Sequence, residues 1–91
     1  MKIDYDLKKN QKNIEERNLS FELARQFEWE TAVITQDLRK DYPEERFIAS
    51  GYISGSDRLY ILVFTPIPNG FRVISFRKAN NREIKRYENN K

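Results

Sequence analysis

The 91 residues include no cysteine and no histidine. The first absence excludes disulfides, thiolate metal sites and thiol nucleophiles. The second removes the usual near-neutral proton shuttle and the usual nitrogen ligand for zinc. Only oxygen ligands for magnesium or calcium remain, so neither a transition metal nor any other cofactor is expected. Long apolar runs are missing as well. The longest, at 60–64 (Tyr-Ile-Leu-Val-Phe), is far too short to cross a bilayer. Residues 1–6 carry charges where a signal peptide needs an apolar stretch. The expectation is a soluble, cytoplasmic protein with no membrane partner. Glycine and proline number three each, and no repeat, low-complexity stretch or Ser/Gly linker interrupts the chain. Its length suits one domain, 1–91, that buries roughly 60–65% of its unfolded surface.

What is present is charge, placed unevenly. Residues 1–70 hold 10 Lys/Arg against 12 Asp/Glu, a balance of −2. Residues 71–91 hold 7 against 2, a balance of +5, from Arg72, Arg77, Lys78, Arg82, Lys85, Arg86 and Lys91 against Glu83 and Glu88. Such an end is either a footprint for phosphate or an acidic partner, or a solvated helix face with a frayed tail.

The pattern predicts a short strand at 2–5, then a polar helix capped by Asp6 and running to Arg17, with Leu7, Ile14 and Asn10 or Gln11 inward. Asn18 follows where a helix stops in a left-handed residue. Ser20 caps a second helix carrying Ala24 and Phe27, and Leu19 and Ala24 have the spacing of a hydrophobic staple. The β-branched run 31–35 reads as a strand and the polar stretch 36–44 as a loop. Strands are expected at 46–53, 58–65 and 71–77, separated by turns at 55–57 and 66–70, in an antiparallel meander. A last helix runs from Ala79 or Asn80 to about Asn89, anchored by Ile84 and Tyr87. Helices against an antiparallel sheet make an α+β domain, with four strands plus the short N-terminal one, two N-terminal helices and one C-terminal helix.

Several segments together resemble one family. They are Tyr5-Asp6-Leu7-Lys8-Lys9 with Asn13, Arg17-Asn18-Leu19-Ser20-Phe21 with Ala24 and Phe27, and Glu44-Glu45-Arg46-Phe47-Ile48-Ala49-Ser50-Gly51. Arg58-Leu59 through Phe64-Thr65 follow, then Arg72-Val73-Ile74-Ser75-Phe76-Arg77-Lys78-Ala79 with Glu83 and Tyr87. In this order and spacing the chain resembles the BrnT family of bacterial ribonuclease toxins, over residues 3–87. That resemblance implies a RelE-like fold, cleavage of RNA, and inhibition by a DNA-binding, BrnA-like antitoxin in a hetero-oligomer. One departure stands out: the family's His-Gly pair is Arg17-Asn18 here. Asn replaces Gly at a left-handed helix end at modest cost, but the imidazole is gone.

Cleavage of RNA needs the 2′-oxygen deprotonated, charge stabilised on the phosphate and the leaving oxygen protonated. Arginine suits the second need, because its planar fork bonds phosphate oxygens in pairs and keeps its charge. Metal is dispensable in that scheme. The candidate phosphate clamps are Arg46 and Arg77, assisted by Lys78 or Arg58. Glu45 is the candidate proton acceptor, and Lys9 a proton donor or second phosphate contact. Arg72, Thr65 and Ser75 are further candidates for RNA contact. Regular alternation puts Phe71, Val73, Ser75 and Arg77 on one face and Arg72, Ile74, Phe76 and Lys78 on the other. Arg46 and Arg58 each open a strand, where sites often form. Each has a plainer alternative: Glu45 and Arg46 as cross-strand ion pairs, Ser75 and Thr65 as backbone props, Lys9 as a solvated helix residue. Tyr5 and Trp29 either stack on bases or fill the core. Two other functions stay open, a degenerate toxin that grips antitoxin or RNA without cutting, and a plain RNA-binding domain.

Overall fold

A computed structural model describes residues 1–90; Lys91 of the basic end lies outside them. Five strands form one mixed sheet in the order β1-β5-β4-β3-β2. They are β1 (Lys2–Asp4), β2 (Val33–Gln36), β3 (Phe47–Tyr52), β4 (Leu59–Ile67) and β5 (Gly70–Lys78). From β2 to β5 the pairing is the expected antiparallel meander. The sheet as a whole is mixed, because β1 lies parallel to β5. Parallel partners need a long crossover, and here everything between them supplies it. Close approach of β1 demands a glycine: a Cβ on Gly70 would collide with the backbone carbonyl of Lys2.

The run expected to be strand at 58–65 becomes the central β4, and its residues 59–65 are all buried. A strand covered on both faces reads as unbroken apolar sequence. Tyr60, Leu62 and Phe64 point into one core with Phe71, Val73 and Phe76, beneath the N-terminal helices. Leu59 and Ile61 join Ala79 and Tyr87 in a smaller cluster on the other face, beneath the C-terminal helix α2 (Asn81–Asn89). Tyr5 and Trp29 belong to the first core: Tyr5 meets Phe21 edge-on, and Trp29 meets Phe27, Phe64 and Phe71.

Helix α1 (Leu7–Arg17) starts on Asp6, whose carboxylate accepts from the backbone N–H of Lys8 and Lys9. It ends at Asn18 with φ 54° and ψ 39°, the left-handed stop expected of Asn. Its inward face differs from the expectation. Leu7 is 77% exposed, and Asn13 is the buried residue. Asn13 Nδ2 donates to the carbonyls of Leu19 (2.9 Å) and Phe76 (3.0 Å), while its Oδ1 accepts from Arg17 Nη1 (2.9 Å). Asn10 Oδ1 accepts the N–H of Phe21 at 2.7 Å. This helix is therefore docked by side-chain amides that satisfy backbone groups rather than by an apolar stripe. The second expected helix is a 3-10 segment, Phe21–Gln26, capped by Ser20. Another 3-10 turn, Trp29–Thr31, delays β2 to Val33. Strand β4 runs on to Ile67, so the turn at 66–70 shrinks to Pro68 and Asn69, the latter at φ 64°.

The regular alternation expected along β5 fails in its middle. Val73 pairs with Phe64 but Ser75 pairs with Val63, which leaves Ile74 as an extra residue, a β-bulge. Phe71 and Val73 face the first core, and beyond the bulge Phe76 does too. Ser75 and Arg77 consequently fall in register with Val63 and Ile61, on the α2 side.

Candidate active site

Helix α2 covers only one end of the sheet's second face, and a cleft of about 300 Å³ opens beside it. Its floor is Val33, Thr35, Ile48, Ser50, Ile61 and Val63. Its walls carry Arg39, Arg77 and Arg86, with Tyr87 and Asn90, and a single carboxylate, Glu83. The floor residues share one face because they alternate along β2, β3 and β4 with residues that point to the other side. Tyr87 locks α2 in place: its hydroxyl donates to the Thr31 carbonyl (2.8 Å) and its ring packs edge-on against Tyr52. The helix begins with a capping box between Asn80 and Glu83.

Arg77 is where the fold and the cleft meet. Its Nη1 and Nη2 donate to Glu83 Oε1 and Oε2, each at 2.8 Å. The pair is partly enclosed, with side chains 36% and 19% exposed. The Arg77 guanidinium holds Glu83 down to about 2, helped by the Asn80 N–H, against the opposing pull of burial. Glu83 in turn raises Arg77. Arg77 thus lines the cleft, with each terminal nitrogen of its fork already donating to Glu83.

The cleft does not gather the other candidates. Lys78 sits beside Arg77 in a shallow depression shared with Arg17 and Leu19. Lys9 and Ser75 border a further depression along α1 with Asn13 and Arg17. Arg46 lies apart, in the 36–46 loop region with Glu45. Its guanidinium stacks over Tyr42 at 4.2 Å and pairs with Glu44 at 3.5 Å, and its buried Nε has no partner. Arg46 and Arg58 precede consecutive antiparallel strands, so they stand at opposite ends of the hairpin. Arg58 is exposed there, its N–H turned to Ser56. Arg72 pairs with Asp4 across the parallel strands at 2.7 Å. Thr65 is buried and its hydroxyl donates to the Glu45 carbonyl at 2.8 Å, a backbone prop.

Two cleft arginines, Arg39 and Arg86, carried no motif in the sequence. Arg86 follows from the helical spacing, three residues after Glu83 on the same face of α2. Arg39 comes from a loop, and only the sheet order brings it to the cleft. Among the described residues no group of three or more His, Cys, Asp or Glu is arranged to hold a metal ion. Nor is any helix there long and apolar enough to cross a membrane.

A floor of aliphatic and hydroxyl side chains walled by three guanidiniums suits a ligand with an anionic backbone and flat, partly apolar substituents. The chain belongs to the BrnT family: the family model described as "Ribonuclease toxin, BrnT, of type II toxin-antitoxin system" matches residues 5–83. It is therefore a ribonuclease toxin of a type II system, with an antitoxin as partner. No curated protein sequence matches it.

Proposed function

We propose that this chain, as a single RelE-like toxin domain in the cytoplasm, cleaves RNA in the cleft beside α2 without a metal ion. The observation that carries the reading is the cleft's charge: three arginines and one acid already bound to one of them. With Glu83 held near 2, no strong base lines the cleft, since a general base works best with a pKa near the operating pH. Rate then comes mainly from binding the scissile phosphate in line with the 2′-oxygen and stabilising its charge. Lys78 and Arg17, beside Arg77, support the same phosphate from outside, and Lys9 and Ser75 extend the contact along α1. Arg46 and Glu45, gathered in another depression, act on RNA only beyond the cleft, as do Arg58 and Arg72. Neutralisation comes from a BrnA-like, DNA-binding antitoxin in a hetero-oligomer, with the basic end as its contact.

Purified protein incubated with single-stranded RNA in EDTA is expected to cut, and Arg77→Ala to lose at least about 100-fold in rate. Cleavage that appears only when Mg²⁺ is restored overturns the metal-free scheme. A second reading, a degenerate toxin that binds its partner or RNA without cutting, is favoured by the occupied fork of Arg77 and by Arg17 in place of histidine. A wild-type protein that forms the complex and never cuts RNA decides for it.

A further inference from the structure

Asp37 is a carboxylate taken wholly out of solvent, its side chain 0% exposed, at the end of β2. Such a group survives burial only when fully paired. It accepts from Arg39 Nε at 2.8 Å, Arg39 Nη2 at 2.7 Å, the Arg39 backbone N–H at 3.2 Å and the Tyr42 hydroxyl at 3.2 Å. Arg39 itself is 66% exposed. A pair serving only the core would enclose both partners; here the enclosed acid grips one edge of an exposed guanidinium and sets its direction. The gripped edge is Nε and Nη2, so Nη1 is left on the edge turned from Asp37.

That guanidinium lines the cleft. Arg77 rises from β5 and Arg39 follows β2, so the two flank a floor made by β2, β3 and β4. Their charges are near enough to repel. The two differ in availability: Glu83 takes an N–H from each terminal nitrogen of Arg77, and the Lys78 carbonyl a second from Nη1, whereas Asp37 leaves the whole of Arg39 Nη1 unengaged.

We propose that Arg39 is the second cationic jaw of the cleft, binding a phosphate of the RNA strand across the floor from Arg77, and that Asp37 is its positioning residue. The proposal rests on the RNA reading above. It assigns the β2–β3 loop a part in binding that no motif marks.

The test is binding of a short single-stranded RNA, 2′-O-methylated to prevent cleavage, followed by fluorescence anisotropy across a salt series. Arg39→Ala should weaken binding roughly 10-fold and flatten the plot of log K against log salt by about 0.7, the loss of one phosphate contact. Asp37→Asn leaves the arginine charged yet unaimed, and is expected to lose a comparable amount. The double variant should bind no more weakly than Arg39→Ala alone, because Asp37 acts through Arg39. Additive losses would make Asp37 merely structural and overturn its role. If Asp37→Asn melts the domain, Arg39→Lys asks the same question, since lysine keeps the charge without the two-point grip. Wild-type affinity in Arg39→Lys would then overturn the positioning. Unchanged affinity and salt slope in Arg39→Ala beside weakened Arg77→Ala removes the jaw and keeps the cleft. Unchanged binding and RNA cleavage in both removes the cleft reading, and the jaw with it.

Discussion

Replacing Glu83 with Gln and, separately, Arg77 with Ala should move stability the same way and RNA binding in opposite ways. Arg77→Ala breaks two charge-assisted hydrogen bonds of 2.8 Å between β5 and α2, and Glu83→Gln, whose amide oxygen can keep one of them, breaks the other and removes the opposing charge. Exposed ion pairs contribute about 0–1 kcal/mol, whereas breaking an enclosed one costs about 3–5. With side chains 36% and 19% exposed, this pair falls between, at about 2 kcal/mol. For a domain of this size that is a fall in Tm of about 8–16 °C. The effect depends on pH in a defined sense. Glu83 lies near 2 in the folded protein, below its ordinary value of 4.5. A depressed carboxylate contributes its stability in full above the unfolded value and loses it as pH falls through the folded one. The Tm gap between wild type and either variant should therefore be constant from pH 7 down to about 5 and narrow steadily from there to about 2. For RNA the two variants part company. Arg77→Ala removes a cation from the cleft, while Glu83→Gln frees its fork and should tighten binding several-fold at low salt. Scanning calorimetry across pH and anisotropy with non-cleavable RNA measure both. A Glu83→Gln protein with unchanged Tm at pH 7 and unchanged RNA affinity would refute the reasoning, by showing the pair to be screened and energetically idle.

Three further outcomes are expected. Asn13→Ala strips the amide that joins α1 to the carbonyls of Leu19 and Phe76. It should cost about 2–3 kcal/mol in urea unfolding, from two buried hydrogen bonds left unmade. Thr65→Val removes only the bond to the Glu45 carbonyl; it should lose about 1 kcal/mol and cut RNA at the wild-type rate, whereas a lost rate would make Thr65 a substrate contact. At Asn18, with φ 54°, Ala should cost about 1 kcal/mol and Gly nothing, as read by thermal melts.

What the sequence disclosed was local. Asp6, Asn18 and Ser20 are signals acting within a few residues, and each marks an element end where it was expected; the Asn80–Glu83 box is just as local but went unread. The meander was legible for a similar reason, since its turns separate apolar runs directly. The parallel pairing of β1 with β5 joins residues nearly seventy apart, and no pattern in either segment names the other. Asn13 went unrecognised because a polar residue on a polar helix looks solvated until its carbonyl partners are in place. The bulge had left one trace: Val73 and Phe76 are three apart, a spacing that regular alternation cannot put on one face. Of the candidates on β5, Arg77 lines the cleft and Lys78 does not. Arg46 and Arg58 were grouped with them because each opens a strand, although antiparallel neighbours open at opposite ends. Arg39 needed the order of the strands across the sheet, which is a property of the whole chain.

The extra residue at Ile74 has a consequence for how this strand tolerates change in length. Removing it would leave Phe76 in the core and Arg77 toward α2, because the residues on either side already keep the facing they would have in a regular strand. Inserting or deleting one residue elsewhere in β5 would turn one part of the strand over, burying a guanidinium or exposing a phenyl ring. Length can vary at a single joint without any downstream side chain changing its address. The two stretches of β5 can thereby change length at their junction without turning Val73 or Phe76 out of the core.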